Sequence, residues 1–179
     1  QIETTKIYSY AGKLTKQMPI ISERPFRHLS SNITSSSLVG GGNAVIPGEV
    51  SFAHNGVLFL DEMPEYSRRA LETLRQPIED RRVTVARVQR SVEYPANFML
   101  IASMNPCPCG NYGSRTQVCK CTPSQIHNYV SKLSGPLLDR IDLQIEVDSI
   151  QYDEFRGKEK PETSAEVKAR INRARAVQA

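Results

Sequence analysis

The sequence predicts an α/β fold built on a largely parallel sheet. Two short, unbroken apolar runs, Val57-Leu58-Phe59-Leu60 and Phe98-Met99-Leu100-Ile101-Ala102, read as strands buried on both faces. A helical pattern lies between them, and strands that alternate with helices are the mark of a parallel sheet. In such sheets chemistry gathers at the carboxyl ends of the strands, so the residues that follow each run carry the most information.

The remaining elements follow in chain order. Residues 9–14 read as the end of a helix, with Gly12 as its stop. From Leu29 to Pro47 the chain is rich in Ser, Thr, Asn and Gly and reads mostly as loop. Val50, Phe52 and Ala53 suggest a short element between the turn signals Pro47-Gly48 and Asn55-Gly56. After the first strand, Pro64 suits a first helical turn. Ala70, Leu71 and Leu74 give that helix its apolar stripe, and Pro77 should kink or end it. Residues 83–88 and 91–94 are β-rich and predict a hairpin. Residues 105–123 form a Cys/Gly/Pro-rich loop, and 124–134 a helix capped by Ser124. Ile141, Leu143, Ile145 and Val147 alternate with polar residues, the pattern of a half-buried strand. A charged linker over 156–163 then leads to a helix capped by Thr163 or Ser164, with Val167, Ile171 and Ala174 on one face.

At 179 residues the chain is one domain, or one domain with part of a second. Its 39% hydrophobic and 23% charged content excludes a disordered or collagen-like chain. No apolar run approaches the roughly 18 residues that span a bilayer, and no secretory signal is visible. The net charge of +4 permits a polyanionic partner without demanding one.

The first strand ends in Asp61-Glu62. Two adjacent carboxylates there suit Mg²⁺ binding by Asp61 and water activation by Glu62, or simply a solvated turn before a helix. The second strand ends in Ser103-Met104-Asn105-Pro106, where Asn105 suits water orientation or an Asn-Pro turn. Arg140, just before the alternating segment, suits either phosphate neutralisation or a pair with Asp139 or Asp142. Cys107, Cys109, Cys119 and Cys121 form two C-x-C pairs within fifteen residues. That clustering suits a tetrahedral, structural Zn²⁺ site in a reducing compartment; two disulfides or four free thiols are the alternatives.

These residues together carry a resemblance. Residues 57–62 resemble a Walker B motif and Met104-Asn105-Pro106 a sensor 1 motif. Residues 135–142 resemble the arginine-finger segment of the magnesium-chelatase and replicative-helicase side of the AAA+ ATPases. The run from Pro25 to Val147 resembles the magnesium chelatase-related ComM or YifB family, most specifically at 105–110 and 134–140. The resemblance implies a partial AAA+ P-loop NTPase-like core over 1–155, then a linker and the start of a helical lid over 156–179. It implies ATP and Mg²⁺ as cofactors, with Asp61 on the metal, Glu62 polarising the attacking water and Asn105 positioning it. Arg140 would reach the ATP of a neighbouring subunit in a homo-oligomeric ring. Residues 40–52 would be the helix-2 insert and 83–94 the pre-sensor-1 hairpin, with Arg87 and Arg90 gripping DNA, single-stranded or branched. A solvated charged hairpin is the plainer reading of those arginines. The implied setting is the cytoplasm, away from membranes.

Two departures qualify the resemblance. No G-x-x-x-x-G-K-[ST] phosphate loop occurs; Gly12-Lys13 is followed by Leu14. The expectation is a fragment that begins after that loop and is inactive alone as an ATPase. The family's Pro-His-His run after the position of Phe26-Arg27 is here His28-Leu29-Ser30-Ser31-Asn32. Two other functions remain in view: a chelatase-type motor acting on a metal-insertion partner, and a zinc-stapled nucleic-acid-binding module without catalysis. The second accounts for the cysteines and arginines but not for Asp61, Glu62, Asn105 and Arg140.

Overall fold

The computed structural model describes residues 1–42, 44–87, 90–114, 116–147 and 162–178. The chain divides into two units, Gln1–Ile145 and Glu146–Ala179. The first is organised on a three-stranded parallel sheet in the order β1 (Phe26–Leu29), β4 (Val57–Leu60), β7 (Met99–Ala102). Between β1 and β4 lie α2 (Ser35–Val39), the small antiparallel pair β2 (Gly40–Gly41) and β3 (Ile46–Pro47), and α3 (Glu49–Phe52). Between β4 and β7 lie a 3-10 turn (Met63–Glu65), α4 (Arg68–Thr73), α5 (Arg75–Asp80) and the hairpin β5 (Arg82–Arg87) with β6 (Arg90–Pro95).

The period-2 geometry of the strands sorts their side chains onto two faces. Leu29, Leu58, Leu60 and Leu100 point to the inner face, where Leu58 and Leu60 are fully buried. They meet Leu38 of α2, Val50 of α3, Ala70 and Leu71 of α4, and Leu74, which joins α4 to α5. Burial of one such leucine contributes about 2 kcal/mol. The outer face carries Phe26, His28, Phe59, Met99 and Ile101. Phe26 stacks on Phe59 at 6.0 Å, yet Met99 and Ile101 are exposed. The expectation of two strands buried on both faces is therefore corrected: β4 is buried on one face and half-buried on the other, and β7 is largely exposed at the sheet edge.

Local chemistry explains the helix boundaries. α1 (Ile2–Tyr10) ends where Gly12 takes φ +66°, as the glycine stop predicts. Its Ile7 and Tyr8 pack on Phe52 and Ile21 in a second small core. Ser67 caps α4 by accepting the Ala70 N–H. The break between α4 and α5 falls at Leu74, ahead of Pro77. Pro77 lies in the first turn of α5, where its missing N–H has no helical partner to lose. Asn55 takes φ 60° in the predicted Asn-Gly turn, and a Cβ on Gly56 would lie 1.9 Å from the Pro25 carbonyl oxygen. Only glycine lets β4 start so close to β1.

Three expectations are corrected. The 29–47 stretch holds a helix and two short strands, because Thr34 caps α2 and buried Leu38 anchors it. The helix α6 (Pro123–Val130) is capped by Thr122, two residues before Ser124: Thr122 and Gln125, three residues on, form a reciprocal capping box. Ile141 to Val147 form no strand, and Leu143, Ile145 and Val147 are each 81% exposed. Alternation specifies a face but supplies no partner strand, and none pairs with this segment among the described residues. α7 (Gly135–Leu138) precedes it.

In the second unit the described residues form α8 (Ser164–Gln178), with no buried side chain. Thr163 caps it: Glu166 donates its N–H to the Thr163 hydroxyl and accepts the Thr163 N–H at 2.7 Å. Most of the linker expected over 156–163 lies outside the described residues.

Candidate active site and cysteine centre

β4 and β7 are neighbours in parallel register, with Leu60 opposite Ala102. The residues that follow, Asp61-Glu62 and Ser103-Met104-Asn105, therefore emerge at one carboxyl edge of the sheet. The pairing continues past the strands: the Ser103 N–H donates to the Leu60 carbonyl at 2.9 Å, and the Met63 N–H to the Ser103 carbonyl at 2.8 Å. The Ser103 hydroxyl donates to the Asp61 carboxylate and accepts the Glu62 N–H at 3.1 Å. Glu62 takes φ 51°, ψ 52°, a left-handed conformation that costs a non-glycine residue about 1–2 kcal/mol. Buried Met63 and Pro64 anchor the turn that follows, so the Asp61 and Glu62 side chains stay exposed. Tyr66 donates to the Leu29 carbonyl at 2.7 Å; burial, then the Asp61 charge, raises its pKa.

Asn105 is also exposed. Tyr129 of α6 is buried. Burial raises the Tyr129 pKa, the Asn105 N–H opposes that rise, and the charges of Glu65 and Glu62 add to it. Lys132 Nζ sits 5.8 Å from the Tyr129 ring centre and 3.7 Å from the Glu65 carboxylate.

Arg140 has a different environment. Its guanidinium donates to the Pro136 carbonyl and pairs with Glu79 of α5, and its Nε has no partner. Its ion-pair partner is Glu79, neither Asp139 nor Asp142.

The four cysteines are reduced and converge. Their sulfurs all lie within 4.8 Å of one another. Cys107 Sγ is 3.4 Å from Cys109 Sγ, and Cys119 Sγ is 3.7 Å from each of these two. Cys107 is buried and its sulfur accepts the Tyr112 N–H at 3.3 Å. The Asn111 and Lys120 backbone N–H groups pull the Cys109 thiol down to about 6. Desolvation, then the Cys109 thiol, pushes Cys121 up to about 12. Four thiols this close cannot all ionise without a cation between them.

The hairpin carries the basic residues. Val83, Val85 and Tyr94 bury its base in the core, and Tyr94 donates to the Val45 carbonyl. Arg87 and Arg90 pair across the tip; Arg90 is exposed, and the Arg87 side chain lies outside the described ones. Arg82 is 3.4 Å from Glu93, so the hairpin's stem already balances part of its charge.

Ser103 is the residue that sequence reading missed as part of the site. A serine directly after a strand run was the available signal for Ser103.

Residues 1–155 match the protein family described as magnesium chelatase, subunit ChlI. The chain is 48% identical over 125 residues to the protein YifB of Salmonella typhimurium, covering 70% of this chain and 24% of that one. It is 42% identical over 158 residues to the competence protein ComM of Haemophilus influenzae, covering 87% of this chain and 30% of that one. A Mycobacterium tuberculosis protein is 42% identical over 177 residues, covering 97% of this chain and 34% of that one. The chain thus spans between about a quarter and a third of the length of these relatives. Among the described residues, no helix is long and apolar enough to cross a membrane.

Proposed function

The chain belongs to the magnesium chelatase, subunit ChlI family, and we propose that it contributes the hydrolytic edge of an AAA+ ATPase that works on DNA in the cytoplasm. The observation that carries the reading is the Ser103 hydroxyl, which holds the Asp61 carboxylate and the Glu62 backbone together two residues before Asn105. Three polar groups at one strand edge, one of them in a strained backbone conformation, suit a reaction site better than a solvated turn.

Asp61 is the residue assigned to hold Mg²⁺ with ATP. The ion supplies neutralisation of phosphate charge when bound. Glu62 orients the attacking water and accepts its proton, and its exposure leaves room for that water. The Asn105 side chain fixes the water from the neighbouring strand. Arg140 acts on the nucleotide of an adjoining copy in a homo-oligomeric ring, and must leave Glu79 to do so. Arg87 and Arg90 grip the phosphate backbone of DNA without reading bases. Cys107, Cys109, Cys119 and Cys121 hold a structural Zn²⁺. Residues 1–155 form part of the ATPase core, and 156–179 a linker with the start of a helical lid. The relative named ComM, a competence protein, supports the DNA assignment.

The test is Mg²⁺-dependent ATP hydrolysis by the full-length protein, with and without single-stranded or branched DNA. Glu62→Gln should abolish turnover and leave nucleotide binding intact; wild-type turnover in that variant refutes the reading. DNA should stimulate turnover. Without stimulation, the chelatase-type motor that the family description suggests becomes the better account. The chain by itself should show no turnover.

A further inference from the structure

We propose that Glu79 is a positioning residue that restrains hydrolysis: it holds Arg140 folded back on its own chain until the phosphates of a neighbouring copy's ATP displace the Glu79 carboxylate. The role of Arg140 at that phosphate rests on the reading above; its retracted state and the groups that hold it rest on geometry.

The backbones on both sides are anchored. Leu137 is fully buried, and Leu138 and Ile141 pack against the main core around Arg140. The Arg140 N–H donates to the Leu137 carbonyl at 3.2 Å, and the Ile141 N–H to the Leu138 carbonyl at 3.0 Å. Across from them, Pro77 is buried and Ile78 packs on the same core, directly before Glu79 at the end of α5. With both backbones fixed, the long arginine and glutamate side chains are the parts that can swing.

Arg140 does not project. It lies just past α7, and its guanidinium turns back so that Nη1 donates to the Pro136 carbonyl of that helix and Nη2 to Glu79. Both terminal nitrogens, the fork that grips a phosphate, are thus occupied within the chain. Only 21% of the side chain is exposed. Yet the hold is weak. Glu79 is 52% exposed, so solvent and salt screen the pair. Arg140 Nε is buried with no acceptor among the described residues, and an orphaned donor counts against the retracted state. Glu79 engages one nitrogen, whereas a phosphate offers several oxygens and more charge to the whole fork. Retracted and released Arg140 therefore form a two-state element, and an incoming triphosphate binds the released state better. Without one, the carboxylate keeps the guanidinium from other anions.

The experiment measures kcat for Mg²⁺-dependent ATP hydrolysis by the full-length protein at saturating ATP and fixed protein concentration. The parent is compared with Glu79→Gln, Arg140→Ala and the double variant. Glu79→Gln keeps the shape and removes the charge, and should raise turnover about threefold, the effect of losing one partly exposed ion pair. The ratio of variant to parent should fall toward one as salt rises, because salt already screens the pair in the parent. A purely structural role for Glu79 gives no such convergence. The double variant should match Arg140→Ala. Unchanged turnover in Glu79→Gln overturns the latch. Lower turnover also overturns it, and marks Glu79 as a support that aims Arg140. A gain that survives in the double variant overturns it as well, since it does not pass through Arg140. Parental turnover in Arg140→Ala is a different failure: it removes the reading of Arg140 itself, and the latch with it.

Discussion

Ser103 and Asp61 are joined side chain to side chain across neighbouring parallel strands, and the same Ser103 hydroxyl accepts the Glu62 N–H. One small residue thus fixes two acidic neighbours by different handles: the carboxylate of the first and the backbone of the second. Ser103→Ala leaves the Glu62 N–H without this acceptor and Asp61 free to turn. We expect a stability loss of about 1 kcal/mol by chemical denaturation. Turnover of the full-length protein should fall about tenfold or more, since Asp61 loses the partner that orients it. Ser103→Thr keeps the hydroxyl and should restore most of both. Equal losses in the alanine and threonine variants contradict this.

Glu62 holds a left-handed backbone at φ 51°, ψ 52°. Glycine adopts that conformation freely, so Glu62→Gly removes about 1 kcal/mol of strain and gives part of it back in unfolded-chain entropy. The variant should be as stable as the parent or slightly more, while hydrolysis disappears. A clear stability loss shows that the carboxylate itself supports the fold.

The strand runs, the hairpin and the carboxylate pair were legible because each is written in neighbouring residues. Four apolar residues in a row announce β4, and two β-rich pieces announce the hairpin. What could not be read depends on pairing across the chain. Ile141 to Val147 alternate as a strand would, yet form none, since the alternation cannot name a partner. β7 looks as buried as β4 in sequence but lies at the sheet edge. Ser103 joins the site only through the register of β4 with β7. The plainer of the two readings of Arg140 paired it with Asp139 or Asp142; its pairing with Glu79, sixty-one residues away, has no local signature.

That pairing has its own consequence. Arg140 and Glu79 lie near the surface, with side chains 21% and 52% exposed, so solvent screens them and Glu79→Gln should change stability by less than about 1 kcal/mol. Arg140→Ala should leave zinc content unchanged. In the full-length protein it should reduce turnover about a thousandfold or more, the usual worth of a phosphate-neutralising arginine. A loss of only a few fold marks Arg140 as a structural partner of Glu79 and nothing else.

Gly40 fixes how the two small hairpins meet. It takes φ +111°, and a Cβ there would lie 2.6 Å from the Ile46 carbonyl oxygen, 2.9 Å from Val85 Cγ2 and 3.0 Å from the Gly48 nitrogen. Two of these neighbours are backbone and cannot rotate away. Gly40→Ala therefore combines backbone strain with overpacking and should cost about 2–4 kcal/mol in denaturant unfolding. A neutral result refutes the close approach of β2 to β5.

The hairpin base packs into the core through Val83, Val85 and Tyr94, whereas Arg87 and Arg90 face each other across its tip. Substitution at the tip should thus leave the fold intact, and DNA affinity can be read without a stability correction. Phosphate contacts release counterions, so each arginine lost should weaken binding to all sequences alike and flatten the salt dependence by about one unit in the log–log slope. Arg87→Ala with Arg90→Ala should lower that slope by about two. Arg82→Ala, at the stem and 3.4 Å from Glu93, should change it little, because that charge is already balanced. If the tip and stem variants shift the slope equally, DNA contact is spread over the surface, and the hairpin has no special part in it.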